Sequence, residues 1–151
     1  SELFSLLEDR GAWLVALSLP TGGVSWPENA ARIAGWCRDN GIRLAVDFLC
    51  GLPGDTPESI RRDLDRLRRI APATVGLNSV IRLYPGCPAT VEITASLSER
   101  AYLRGTLEGN PGWLFPAFYH RIGPEELKEL VGDDPLFRVE GYESGSNYQR
   151  V

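Results

Sequence analysis

Three apolar stretches set the rhythm of the chain, and the polar segments between them carry helical spacing or turn chemistry. Residues 12–19, Ala-Trp-Leu-Val-Ala-Leu-Ser-Leu, and 44–50, Leu-Ala-Val-Asp-Phe-Leu-Cys, are nearly continuous apolar runs. Short runs without alternation suit strands buried on both faces, as in a parallel sheet. A third strand is read over residues 73–84, with Asn78 and Ser79 as polar interruptions and Arg82 near its end. Helical spacing fills the gaps. Leu3, Leu6 and Leu7 share one side of a helix over 2–10 with Gly11 in the C′ position, and Pro27 opens a helix to about Asp39 that turns Ile33, Ala34 and Cys37 inward. After the second strand, Gly51, Pro53 and Gly54 punctuate a turn. Thr56 is a good N-cap, Pro57 suits the first helical position, and Glu58 complements the helix dipole. Ile60, Leu64, Leu67 and Ile70 then recur at helical intervals, with Arg61, Arg62, Asp65, Arg68 and Arg69 on the remaining face.

Beyond residue 90 the pattern changes. Pro85-Gly86 and Pro88 stop the sheet, and 91–105 reads as a polar loop with a short helix from Ser98 to Leu103 ended by Gly105. Residues 108–112 are a turn cluster, and 113–119, Trp-Leu-Phe-Pro-Ala-Phe-Tyr, an aromatic stretch broken by proline. Gly123 and Pro124 open a last helix through Val131, stopped by Gly132-Asp133-Asp134-Pro135, and the tail from Tyr142 is polar, Gly/Ser-rich and expected to be partly disordered. The expected architecture is α/β: three parallel strand–helix units over 1–90, then a mainly helical or irregular extension over 91–151.

Composition narrows the function classes. With 151 residues the chain is one domain or a piece of one, and a net charge of −4 offers no basic surface for nucleic acid. No apolar run approaches the ~18–20 residues of a membrane span, and no signal-peptide pattern opens the chain, so a cytoplasmic location without a membrane partner is expected. Lys128 is the single lysine and sits among glutamates, which leaves one poor candidate for Schiff-base chemistry. Cys37, Cys50 and Cys87 are odd in number and widely spaced, as suits reduced thiols, and their spacing matches no metal site.

The turn after the second strand lies at the carboxyl edge of the sheet, where α/β proteins place their ligands, so it is either a connector or part of a site. Its wording points further. Phe48-Leu49-Cys50-Gly51-Leu52-Pro53-Gly54-Asp55-Thr56 resembles the "GLPGET" stretch after the fifth barrel strand of radical S-adenosylmethionine enzymes, particularly the cobalamin-dependent branch. Arg82-Leu83-Tyr84-Pro85-Gly86 is similar to that family's next strand, "R-x-Y-P-G-T", with Cys87 in place of the threonine. The resemblance covers about residues 10–90 well and the remainder loosely. It implies a partial (β/α) TIM-like barrel, with S-adenosylmethionine against the strand ends, a 4Fe–4S cluster in the parent protein, and cobalamin. By position in the family, Ser18 and Thr21 would approach the ribose, Cys50, Gly51, Leu52 and Pro53 would form the cofactor-lining turn, and Leu83 and Tyr84 would meet the adenine. The resemblance assigns no catalytic residue. The family's cluster-binding CxxxCxxC is missing from this chain. The expectation is therefore a carboxyl-terminal half of the barrel, inactive alone, whose partner is the amino-terminal half and whose exposed strand edge favours self-association. The implied chemistry is reductive cleavage of S-adenosylmethionine to a carbon radical, or radical methyl transfer.

Other readings of single residues stay open. Ser18 and Thr21 also fit as a small strand residue and a turn former. Asp47, inside an apolar strand, is either a functional group or the partner of an arginine such as Arg82. Cys50 is a packing residue or a nucleophile, with His120 the single histidine of the chain. Stretch 113–119 is a plug, a substrate wall or packing. Two rival functions remain: a small α/β protein binding a phosphorylated or nucleotide ligand at its strand ends, and a non-catalytic interaction domain using 113–119.

Overall fold

The computed structural model describes residues 2–20, 26–110 and 115–140, of Pro27 the backbone alone. Thr21, Trp113, Leu114 and the tail from residue 141 lie outside the described residues. Helix α1 (Glu2–Asp9) leads into β1 (Leu14–Pro20), followed by α2 (Trp26–Asp39), β2 (Arg43–Leu49), α3 (Pro57–Ile70) and β3 (Thr74–Asn78). Then come β4 (Ile81–Leu83), α4 (Pro88–Ala95), α5 (Leu97–Arg100), β5 (Leu103–Arg104), β6 (Ala117–Tyr119), α6 (Pro124–Val131) and β7 (Phe137–Val139).

Four strands in the order β1-β2-β3-β7 form a sheet that is parallel throughout. Side chains alternate along it. Leu44, Val46, Phe48, Val75, Leu77 and Val139 pack into one core with Ala30, Ala34 and Cys37 of α2, Ile60, Leu64 and Leu67 of α3, and Leu127 of α6. Helix α3 begins as its sequence dictates: the Thr56 side chain accepts from Ser59 N at 3.2 Å, and Ser59 Oγ accepts from Thr56 N at 2.9 Å. Two orphan amides are thus satisfied reciprocally, with Ser59 in the place glutamate or glutamine more often fills. Asp63 is buried on this helix, where it pairs with Arg66 at 2.7 Å.

The expected third strand is two. Asn78 ends β3: its side-chain oxygen accepts from Val80 N at 2.9 Å and its carbonyl from Cys50 N at 3.0 Å. The chain leaves the sheet at Ser79–Val80, and β4 joins a second, antiparallel sheet in the order β4-β6-β5. The extension is also less helical than expected, since it supplies β5 and β6 to the second sheet and β7 to the first. Pro88, read as a stop, opens α4 at its first turn. The polar loop closes on Asn110, whose side chain accepts from Phe115 N at 3.0 Å and donates to Phe115 O at 2.8 Å and Thr106 O at 3.0 Å.

Gly105 adopts φ +90°, and a Cβ there would stand 2.9 Å from Pro116 O. Left-handed strain and a clash with backbone act together, so Gly105→Ala should lower stability by about 2 kcal/mol or more. Urea denaturation with Trp fluorescence measures it.

Candidate functional site

The turn after β2 divides its residues between two cores. Cys50 belongs to the first, whereas Leu49 and Leu52 pack against a second formed by Ile81, Leu83, Ile93 and Tyr119. Gly51 makes the division possible: its φ is +81°, and a Cβ there would meet Ile122 at 3.5 Å. The turn then closes on itself, Leu52 N donating to Asp55 Oδ2 at 2.8 Å and Asp55 N to Leu52 O at 3.0 Å. Leu52, Pro53, Asp55 and Ser59 line a recess of about 390 Å³ completed by Ala89 and Glu92 of α4.

The nominated residues fall in three places. Ser18 is exposed on β1, in register with Asp47 of β2. Cys50, Gly51, Leu52 and Pro53 form the turn. Leu83 is buried in the second core, which brings it to the same cluster as Leu52, while Tyr84 is exposed beneath the Arg82 guanidinium at 5.3 Å. Thr21 lies outside the described residues.

Burial, and next the charge of Asp55, push the Cys50 thiol up to about 12. It stays protonated and its Sγ donates to Asn78 O at 3.7 Å, which suits packing rather than attack. Cys37 is likewise buried and raised by desolvation, and Cys87 is exposed. The three thiols stand apart, and among the described residues no group of three or more His, Cys, Asp or Glu side chains could hold a metal ion. An iron–sulfur cluster requires converging thiolates, so these residues do not fit one.

A polar cluster anchors the second sheet. The buried Tyr119 hydroxyl donates to the Glu99 carboxylate, Arg121 Nη1 stands 3.5 Å from Glu99 Oε1, and the Arg121 guanidinium lies over Tyr102 at 5.8 Å. Desolvation, then the Glu99 hydrogen bond, hold the Tyr119 phenol well above its ordinary range. Beside it the His120 Nε2 is buried without a hydrogen-bond partner. The sequence names neither Glu99 nor Arg121, because their pairing depends on how α5 packs against β6. Arg138 was also missed, although a charge between Phe137 and Val139 is a readable signal.

No protein-family model matches the chain, and no curated protein matches it in sequence. In three dimensions it is similar to the radical S-adenosylmethionine methyltransferase TsrM from Kitasatospora setae, in a structure with cobalamin and a [4Fe–4S] cluster bound. The TM-score is 0.65 over 97% of this chain and 38% of that one, at 21% identity. A second structure of TsrM, with tryptophan substrate and the analogue aza-SAM, matches 72% of this chain and 26% of that one, with a TM-score of 0.49 and 23% identity. The chain thus has the fold of a part of TsrM and spans about 38% of its length. Among the described residues no helix is long and apolar enough to cross a membrane.

Two outcomes test the thiol assignments. In the native chain at pH 9 an alkylating reagent should label Cys87 alone, and all three cysteines in denaturant, as counted by mass spectrometry. In the unfolded chain a thiol ionises near ~8.5, while folded Cys50 resists ionisation to about 12. Stability is therefore fully present below that lower value and lost as pH rises through the window. The urea midpoint should fall above pH 9, and fall less in Cys50→Ala.

Proposed function

We propose that this chain is the carboxyl-terminal part of a radical S-adenosylmethionine enzyme of the cobalamin-dependent branch, a methyltransferase like its structural neighbour. One coincidence carries the reading. The turn worded like GLPGET leaves a central strand of a parallel sheet, and the chain that contains it aligns with TsrM over 97% of its length. Sequence wording and chain path are separate signals, and they support the same family.

In this reading Ser18, and Thr21 after it, approach the cofactor ribose from β1. The Gly51-Leu52-Pro53 turn brings backbone close to the cofactor, with Leu83 and Tyr84 on the adenine side. Cys50 braces that turn from behind. S-adenosylmethionine, when bound, supplies the methyl group or, on reductive cleavage, a carbon radical. Ligands for the cluster come from the preceding half of a (β/α) barrel.

The surface that would meet that half is apolar. Among the described residues β1 pairs with β2 alone, leaving its outer edge open. Leu3 is 60% exposed, Leu6 52% and Trp13 58%. Covering what remains exposed of each is worth about 1 kcal/mol or somewhat more, and backbone pairing along β1 would supply the register. The occupant is the preceding strand–helix units, which continue the parallel sheet past β1.

With β2 as the family's fifth strand, three units of ~30 residues precede β1, and the coding sequence ahead of Ser1 should specify CxxxCxxC about 90–100 residues upstream. The protein spanning both should take up a cluster anaerobically and consume S-adenosylmethionine. An initiation codon immediately ahead of Ser1 would overturn the reading. The 151-residue chain by itself should self-associate in sedimentation velocity, and Leu6→Glu with Trp13→Glu should return it to monomer; a monomeric parent chain would refute the interface.

A further inference from the structure

One polar row crosses the parallel sheet on the face turned away from α2 and α3. Ser18 of β1 is in register with Asp47 of β2, Asp47 with Gly76 of β3, and Gly76 with Arg138 of β7. Residues in register share a face, so acid and base stand on the same side with a glycine between them. One flanking row, Ala16, Ala45 and Thr74, holds no charge; the other, Pro20, Leu49 and Asn78, continues to Glu140, two residues beyond Arg138 on the same face.

Arg138 is 3% exposed. A guanidinium so deeply buried is tolerated beside an opposite charge or a set of acceptors. Neighbouring strands lie about 4.8 Å apart, so the Asp47 and Arg138 backbones are separated by roughly 10 Å. An extended arginine covers most of that distance, an aspartate the rest, and Gly76 places no side chain in the path. Ala45 and Gly76 are buried although they are small, as they would be beneath a long side chain lying across them.

We propose that Arg138 reaches across Gly76 and holds the Asp47 carboxylate in an ion pair. The pair ties β7, from the far end of the chain, to the central strand by charge as well as through its backbone pairing with β3. It also makes Asp47 a fixed acceptor beside the exposed Ser18. Arg138 is then a positioning residue for Asp47. The pair rests on sheet register and does not depend on the activity proposed above.

Side-chain nitrogen spectra of the 15N-labelled 151-residue chain test it. The Arg138 guanidinium signals should be resolved and slow to exchange, and Asp47→Asn should shift and broaden them. Glu140→Gln, which removes the acid two residues along the same face, should leave them in place. Unchanged signals in Asp47→Asn, or a response to Glu140→Gln instead, would overturn the pair. In urea, the midpoint of the Asp47→Asn, Arg138→Gln double variant should fall by less than the sum of the two single losses; strict additivity would also overturn it. Should Arg138→Gln fail to fold, the Asp47→Asn spectrum decides.

Discussion

A single left-handed residue holds the architecture together. At φ +81° Gly51 carries the chain out of β2 so that Cys50 stays in the core beneath the helices and Leu52 turns to the other core. Ile122 closes on the same glycine as the chain returns from the second sheet toward α6 and β7. The two cores therefore meet at this turn, besides the crossings of the chain at Ser79–Val80 and after β6. Asp55 locks the turn on one side of it and the Asn78 carbonyl locks it on the other.

The two cores are held by different physics. Beneath the parallel sheet, burial of branched and aromatic side chains suffices, and α3 contributes a full apolar stripe. The second sheet has strands of two and three residues, too short to be stable through backbone pairing alone. Four buried apolar residues and the Glu99, Tyr119 and Arg121 cluster replace the missing length. Because desolvation and the Glu99 hydrogen bond raise the Tyr119 phenol above its ordinary value, its hydroxyl remains a donor to Glu99 into the alkaline range.

What could be read from the chain follows from the range of each interaction. Helix α3, with its Thr56 cap and its apolar stripe, is a local matter and was legible to the residue; β1 and β2 were legible as runs of apolar side chains. The break at Asn78 was not, because apolar residues resume after the interruption at Asn78 and Ser79, and only the Asn78 side chain and the reach of Cys50 N show that the ladder stops there. Strands β5, β6 and β7 are shorter than any period that could announce them. Pro88 was ambiguous, since the same residue that ends a strand begins a helix well. The candidate site divides in the same way. Its turn is written in consecutive residues, but the row from Ser18 to Arg138 is a product of register, and register depends on how four separated segments align.

Alternation along the strands joins that row to the proposed function. Val15, Leu17 and Leu19 face the helices, while Ala16, Ser18 and Pro20 between them are exposed. Parallel sheets are ordinarily covered on both faces, because their crossover connections place helices there and their strands are apolar throughout. Here the face away from the helices is small and polar, exposed at β1 and buried toward β7, which is what a cavity wall requires: room above the backbone and a few fixed polar groups. Leu3 and Leu6 of α1 and Trp13 just ahead of β1 are exposed as well. The open edge of β1 and this polar face are thus parts of one surface, and the proposed preceding strand–helix units would cover both.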